Sequence, residues 1–131
     1  MKLLLDTHIW LWMIGPHSKV LPRVQKQIED SRDDLWLSPI SIWELLLLEE
    51  RGKFEFPGGI DAWLAKAFAT LLVIEASLTH EVAAEVRNVR LPHRDPADRF
   101  LAATARVYDL TLVTADQRLL GSRDWKTLAN Y

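Results

Sequence analysis

The chain opens with the stretch KLLLDTHIWLWMI (residues 2–14), which sets the fold class. Its first part, residues 2–5, is a continuous apolar run of strand length, typical of a strand covered on both faces in a parallel sheet. Its second part, residues 7–14, has the length and composition of a helix. Between the two stands Asp6, so the stretch predicts a carboxylate at the carboxyl end of a buried strand.

The rest of the chain repeats this alternation of short apolar segments and longer helical segments. Strands alternating with helices imply an α/β fold, in which a parallel sheet of four to five strands carries helices on both faces. In such sheets ligands bind beyond the carboxyl ends of the strands. Beyond residue 14 we predict strands at residues 35–37, 71–74, 110–113 and 125–128, and helices at residues 21–30, 38–51, 61–70, 79–89, 96–108 and 115–120.

The composition is that of an ordinary globular protein, with 131 residues of which 49% are hydrophobic and 26% charged. This length predicts a single domain over residues 1–131. The absence of cysteine excludes disulfides and cysteine-ligated zinc. The apolar start resembles a signal peptide only as far as Asp6, and no segment is long enough to span a bilayer, so we expect a cytoplasmic protein. The net charge of −2 gives no overall basic excess.

Four acidic residues lie beside or inside segments that we expect to be buried. A carboxylate in such a place costs several kcal/mol unless it is paired or binds a cation. No Lys or Arg stands beside Asp6, Glu44 or Asp116 as an obvious partner. Oxygen ligands without thiols suit a hard divalent cation such as Mg²⁺ or Mn²⁺. The hypothesis is therefore a metal site for phosphodiester chemistry, formed by Asp6, Glu44, Asp98 and Asp116.

Three of these acids also have a structural interpretation, and the sequence leaves both interpretations open. Asp6 and Asp116 each precede a predicted helix and can act as N-caps. Asp98 is the third residue of a helix capped by Asp95, which gives an arrangement like a capping box. One carboxylate oxygen can cap a helix while the other binds a metal, so the two roles do not exclude each other.

Glu44 is the acid with the weakest structural explanation. Its helix is apolar nearly all round between residues 40 and 48, and a glutamate in a buried helix normally has a specific partner. The alternative is an exposed stripe of Ser41, Glu44 and Leu48 on one face of the helix. Because Ser38 is the predicted N-cap, a capping role for Glu44 is excluded.

The acids lie in segments that match a known set of motifs. In this order the segments resemble those of the PIN-domain ribonucleases, and most closely those of the VapC toxins of bacterial toxin–antitoxin pairs. Each segment alone is a weak signal, but together they span almost the whole chain. The matching segments are LLDTH (residues 4–8), SPISIWEL (residues 38–45), HRDPADR (residues 93–99) followed by LAATA (residues 101–105), and LVTAD (residues 112–116).

The resemblance implies a PIN-like three-layer α/β/α sandwich and an endoribonuclease that depends on Mg²⁺ or Mn²⁺. It implies that the four acids form the catalytic site. We expect Asp6 and Asp98 to hold the metal directly or through water, with Glu44 and Asp116 completing the shell or orienting the attacking water. The supporting polar groups that it implies are Thr7, Ser41 and Thr114.

The resemblance also implies partners: an RNA substrate, a second copy of the chain and a cognate antitoxin protein whose peptide covers the cleft. Candidates for contact with RNA phosphates are Arg90, His93, Arg94 and Arg99. For each of these the alternative is ordinary surface charge or an ion pair with Asp95 or Glu85.

Two other functions remain open from the sequence. One is a non-catalytic PIN-like module that only binds RNA or protein. The other is phosphoryl transfer through an aspartyl-phosphate on Asp6, a reaction that in haloacid-dehalogenase-like enzymes needs an acid at the position that His8 occupies here.

Overall fold

The structure is a computed structural model, and it describes residues 1–15, 19–93, 95–120 and 122–131. A parallel sheet of five strands forms its centre, with strand order β3-β2-β1-β4-β5. The α/β prediction is therefore confirmed. The elements in chain order are β1 (Leu3–Leu5), α1 (Thr7–Ile14), α2 (Pro22–Asp30), β2 (Leu35–Leu37), α3 (Pro39–Glu50), α4 (Ile60–Thr70), β3 (Ile74–Glu75), α5 (His80–Glu85), a 3₁₀ turn (Val86–Asn88), α6 (Pro96–Tyr108), β4 (Thr111–Thr114) and β5 (Lys126–Ala129).

Helices cover both faces of the sheet. Alternate side chains of a strand point to opposite faces, so one strand contributes to the core on each side. Leu3 and Leu5 of β1 belong to a core cluster with side chains from α1, α2 and α4. Leu4 faces the other way and packs with the buried residues of α5 and α6. All three leucines are fully buried, so the continuous apolar run of β1 reflects burial on both faces.

The order of the strands creates a switch point at the centre of the sheet. From β1 the chain adds β2 and β3 on one side, and then returns to add β4 and β5 on the other. Leu5 of β1 pairs with Val113 of β4, so the carboxyl ends of these two strands lie side by side. Crevices at such switch points are where open α/β sheets bind ligands.

The helix starts follow the local sequence. Ser38 caps α3 by accepting a hydrogen bond from the amide of Ile40 at 3.1 Å, and Asp95 caps α6 through the amide of Ala97 at 3.0 Å. Both helices have proline as their first residue, where its missing N–H costs nothing. In the parts of the chain that the structure describes, no helix is both long and apolar enough to cross a membrane.

One predicted helix is absent. The prediction at residues 115–120 is wrong, because the described part of this segment forms turns instead. The side chain of Asp116 accepts the amide of Arg118 at 2.9 Å, and the carbonyl of Asp116 accepts the amide of Leu119 at 3.0 Å. Local bonds from an aspartate to the following backbone compete with helix formation.

Two further elements differ in extent. The strand predicted at residues 71–74 is only Ile74–Glu75, an edge strand that pairs with β2 alone. The helix predicted at residues 79–89 ends at Glu85 and continues as a 3₁₀ turn. The carbonyl of Val86 is taken by the guanidinium of Arg99 at 3.2 Å and by the amide of Val89 at 3.1 Å, which favours the tighter turn. The strands β4 and β5 each begin one residue later than predicted.

Candidate active site

Asp6 and Asp116 lie at the carboxyl ends of the two strands that meet at the switch point. Asp6 directly follows β1, and its amide donates to the carbonyl of Val113 at 3.0 Å. Thr114, the last residue of β4, links the two acids: its hydroxyl donates to Oδ2 of Asp6 at 2.6 Å and accepts the amide of Asp116 at 3.0 Å. The alternation read from the sequence thus brings two acids from opposite ends of the chain together.

Asp6 is held rigidly and is 8% exposed. Its Oδ1 accepts the amide of Thr7 at 2.7 Å, so it caps α1 as the sequence predicted, while Oδ2 accepts the hydroxyl of Thr114. Burial raises the pKa of Asp6, and the two hydrogen bonds offset this only in part. A carboxylate oxygen has two lone pairs, so each oxygen of Asp6 keeps one for a further ligand.

Glu44 reaches the same region from α3 and is half-buried. Its Oε1 accepts the hydroxyl of Thr7 at 2.6 Å, and the hydroxyl oxygens of Thr7 and Ser41 are hydrogen bonded at 2.8 Å. Burial raises the pKa of Glu44 to about 7, and the nearby charges of Asp6 and Asp95 add to the rise. The exposed stripe that was the alternative for Glu44 is not formed, because Ser41 is buried and Glu44 has a buried partner.

Asp98 of α6 is buried, with 6% of its surface exposed, and does not complete a capping box. The amide of Asp95 that such a box would bind instead donates to Nδ1 of His93 at 3.1 Å. Among the described residues, Oδ2 of Asp98 has no hydrogen-bond partner. Its nearest basic groups are Nε2 of His93 at 3.3 Å and Nη2 of Arg118 at 3.7 Å. Asp98 therefore lies in the first turn of α6 behind the Asp95 cap, as predicted, but it does not form the hydrogen bond of a capping box.

Burial also raises the pKa of the Asp98 carboxyl, to about 7, and burial is the largest cause. The charges of the surrounding acids, Asp95 first and then Asp6, Asp116 and Glu44, raise it further. A buried carboxylate that has no hydrogen-bond partner on one oxygen and that several like charges surround is in an unfavourable place unless a cation joins it. Asp98 is thus an acid whose charged form a bound cation would stabilise.

Asp116 has a basic partner that the sequence analysis did not find. The guanidinium of Arg118 binds it through two hydrogen bonds, Nε to Oδ1 at 3.1 Å and Nη2 to Oδ2 at 2.9 Å. This pairing lowers the pKa of Asp116. The available signal was an arginine two residues after the acid, which reaches back when the segment forms a turn.

The four acids line one open cavity of about 290 Å³. A fifth acid, Asp95, also lines it, although one of its oxygens caps α6. A larger and mostly apolar cavity of about 710 Å³ adjoins it, since His8 and Trp12 line both. We assign the chemistry to the smaller cavity because it contains the acids. Its lining residues are Asp6, His8, Trp12, Glu44, Asp95, Asp98, Ala115, Asp116 and Arg118.

The basic residues proposed for RNA contact are placed differently from one another. His93 lies beside Asp98, with its Nε2 3.3 Å from Oδ2 of that residue. Arg90 is exposed, and Arg99 donates to the carbonyl of Val86. None of these three lines the acidic cavity. Arg94 lies outside the described residues.

The residues of the cavity fit a hard divalent cation by the chemistry of their donors. They offer carboxylate oxygens and no thiol, and the unpartnered Oδ2 of Asp98 is an oxygen that a cation would satisfy. Within the described ranges, no three acidic or histidine side chains are already gathered as a ligand cluster. Mg²⁺ keeps several waters and needs only one or two carboxylates in direct contact, so the fit does not require such a cluster.

The raised pKa values predict how stability depends on pH without metal. In the unfolded chain these carboxyls have a pKa of about 4, whereas Asp98 and Glu44 reach about 7 when folded. Between these values the folded state binds more protons, so stability falls as pH rises. We expect the denaturant midpoint in EDTA to decrease from about pH 5 to about pH 7.

The matched variant for this experiment is Asp98→Asn combined with Glu44→Gln, which cannot titrate at either position. It should show a much shallower decrease over the same interval, with the remaining slope due to Asp6, whose pKa is also raised. An equal slope in the variant and in the unaltered protein would contradict the assignment of these raised pKa values.

Comparison with known proteins gives one family. The sequence profile of the PIN domain matches residues 3–122. The chain is 32% identical over 123 residues to Ribonuclease VapC22 of Mycobacterium tuberculosis (strain ATCC 25618 / H37Rv), covering 92% of this chain and 91% of that protein.

Solved structures agree on the fold. A DNA-bound VapBC from Salmonella typhimurium superposes with a TM-score of 0.72 at 17% identity, covering 100% of this chain and 99% of that one. VapBC2 from Rickettsia felis, bound to a DNA fragment from its promoter, gives a TM-score of 0.68 at 16% identity and covers 98% of both chains.

Proposed function

The chain belongs to the PIN-domain family, and we propose that it is a metal-dependent endoribonuclease that acts as the toxin of a toxin–antitoxin pair. The observation that carries the proposal is the meeting of Asp6, Glu44, Asp98 and Asp116 in one cavity at the switch point of the sheet. A ribonuclease at 32% identity over most of the chain supports RNA as the substrate.

Asp6 and Asp98 are the residues that we assign to hold the cation, directly or through water. Asp6 is fixed by Thr7 and Thr114 with lone pairs to spare, and Asp98 has an oxygen without a partner. A bound Mg²⁺ or Mn²⁺ would supply Lewis-acid chemistry, acidifying water near neutral pH and offsetting charge on the phosphate. Rigid support of this kind keeps ligands in a productive geometry.

Glu44 and Asp116 complete the site in different ways. Glu44 has a pKa of about 7, so it can accept or return a proton near neutral pH and is suited to orient the attacking water. The hydroxyl of Thr7 holds its carboxylate in place, and Ser41 supports that hydroxyl. Asp116, whose pKa is lowered mainly by its hydrogen bonds with Arg118, is charged at neutral pH and is suited to complete the shell of the cation.

The proposed partners are RNA, an antitoxin protein and a second copy of the chain. The solved structures with this fold include VapBC complexes, which supports an antitoxin partner. We propose that the antitoxin peptide covers the acidic cavity, where a basic side chain would meet the acids. The adjoining apolar cavity, which shares His8 and Trp12 with the acidic one, offers surface to the same peptide. Arg90, His93, Arg94 and Arg99 remain candidates for RNA contact.

Removal of the metal tests the proposed function. Metal ions contribute several kcal/mol to such transition states, so EDTA should slow RNA cleavage by about 10²- to 10³-fold. Adding Mg²⁺ or Mn²⁺ in excess should restore the rate. The measurement is cleavage of a fluorescently labelled single-stranded RNA by the purified protein. Undiminished cleavage in EDTA would contradict metal dependence, and metal-independent RNA binding without cleavage would favour a non-catalytic module.

A further inference from the structure

Arg118 forms a contact that the catalytic assignment leaves unexplained. Its guanidinium binds Asp116 through two hydrogen bonds, while Nη2 also lies 3.7 Å from the Oδ2 of Asp98. One positive group therefore lies between two carboxylates from different elements. A planar guanidinium is well suited to donate two parallel hydrogen bonds to one carboxylate in this way.

The carboxylate oxygens that lie near Arg118 are also candidates to bind a cation. Oδ2 of Asp98 is buried and has no hydrogen-bond partner within the described residues. Nε2 of His93 lies 3.3 Å away without forming a hydrogen bond, and the contact with Arg118 is too long to provide one. Oδ2 of Asp116 is already bound to Arg118. Arg118 thus places a positive charge near Asp98 without forming a hydrogen bond to it, and its guanidinium binds both oxygens of Asp116.

The side chain of Arg118 can move out of the acidic cavity without disrupting the turn. Its side chain is 54% exposed and lines the acidic cavity. The turn that carries it is held by backbone bonds, from Leu119 to the carbonyl of Asp116 at 3.0 Å and from Leu120 to that of Gln117 at 3.2 Å. Since those bonds do not involve the guanidinium, the turn can persist after the side chain has moved.

We propose that Arg118 is a positioning residue that competes with the divalent cation for Asp98 and Asp116. The inference rests on the proposed function, because it concerns the same cavity. In the metal-free protein Arg118 draws the two carboxylates toward one position and limits their repulsion. Binding of the cation displaces the guanidinium, so Arg118 lowers the affinity for the metal.

Calorimetric titration with Mn²⁺ tests the competition. An opposite charge beside a carboxylate favours its charged form by about one to three logarithmic units. Because the guanidinium and the cation compete for the same carboxylates, removal of the guanidinium should raise the affinity for Mn²⁺ by a comparable factor. We expect Arg118→Gln to bind Mn²⁺ roughly tenfold more tightly than the unaltered protein, at the lower end of that range. Arg118→Lys keeps the charge but not the fork, and should lie between the two.

Arg123→Gln is the matched control, because Arg123 is exposed five positions further along and does not line the acidic cavity. It should leave the Mn²⁺ affinity unchanged. A purely structural role of Arg118 would weaken metal binding when it is replaced. Unchanged or weaker binding by Arg118→Gln, with clear binding by the unaltered protein, would overturn the inference and leave the proposed function standing. If neither protein binds Mn²⁺, the proposed metal site itself fails.

Discussion

Replacement of Asp6 by asparagine should reduce RNA cleavage by roughly 10³-fold, at the upper end of what the loss of one electrostatic group costs in an active site. The amide has nearly the same shape as the carboxyl, and its oxygen can still accept the amide of Thr7 and cap α1. Its NH2 group can donate to the hydroxyl oxygen of Thr114, in place of the hydrogen bond that Oδ2 accepts from that hydroxyl. The lost negative charge is the part that a cation requires. Expression of this variant in a bacterial host should not arrest growth, whereas the unaltered protein should.

The fold should survive this change, which separates catalysis from stability. Burial raises the pKa of Asp6, so a charged carboxylate at this position is unfavourable without metal, and a neutral amide removes that cost. The thermal midpoint in EDTA should therefore not fall. Asp33→Asn makes the same substitution at an exposed position, and it should retain activity as the control for effects unrelated to the site. Full activity of Asp6→Asn would remove Asp6 from the mechanism.

Asp98→Asn should give the second large effect, with a loss of cleavage of about 10²- to 10³-fold. Above neutral pH, the folded metal-free protein has to hold this buried carboxylate as an anion among other acids. The neutral amide relieves that repulsion, so the variant should be more stable than the unaltered protein in EDTA. It should also lose the rise in thermal midpoint that Mn²⁺ gives by binding the folded state.

Asp95→Asn provides the matched control for this experiment. Asp95 lines the same cavity, but one of its oxygens already accepts the amide of Ala97, and asparagine caps helices as well as aspartate does. Its replacement should cost much less activity than that of Asp98. An equal or larger loss from Asp95→Asn would show that the ligand assignment on α6 is wrong.

The sequence was sufficient to predict the sheet and the position of two acids. A continuous apolar run directly before Asp6, and another before Asp116, implied buried parallel strands whose carboxyl ends meet. The parallel sheet agrees, since both acids follow the carboxyl ends of their strands. The adjacency of β1 and β4 was not predicted, because connection rules favour pairing of consecutive strands and these two are not consecutive.

Glu44 has the specific partner that its helix predicted, the hydroxyl of Thr7, but the reason for expecting one was partly wrong. The apolar sequence of α3 predicted burial nearly all round, yet Trp43 is 43% exposed and Leu46 37% exposed. The informative feature was the spacing of Ser41 and Glu44, which places both side chains on the side of the helix that meets Thr7. Apolar composition alone does not show which face of a helix is covered.

The contacts of Arg118 and His93 could not be predicted, because both depend on loop conformation. A helix at residues 115–120 would have carried Arg118 away from Asp116, whereas the turn brings it back. His93 faces Asp98 because its Nδ1 accepts the amide of Asp95, a bond within an irregular segment. Side-chain pairing in turns depends on backbone angles that apolar periodicity does not report.

Direct binding of Mn²⁺ to the purified, metal-free protein is the measurement that tests the central claim most directly. Titration calorimetry near neutral pH, in two buffers of different ionisation enthalpy, reports both the affinity and the protons released. We expect saturable binding with release of protons, because Asp98 and Glu44 have pKa values of about 7 and would lose protons when the metal binds. The double variant Asp6→Asn, Asp98→Asn should not bind. Equal binding by the double variant, or no binding by the unaltered protein, would contradict a metal site formed by these acids.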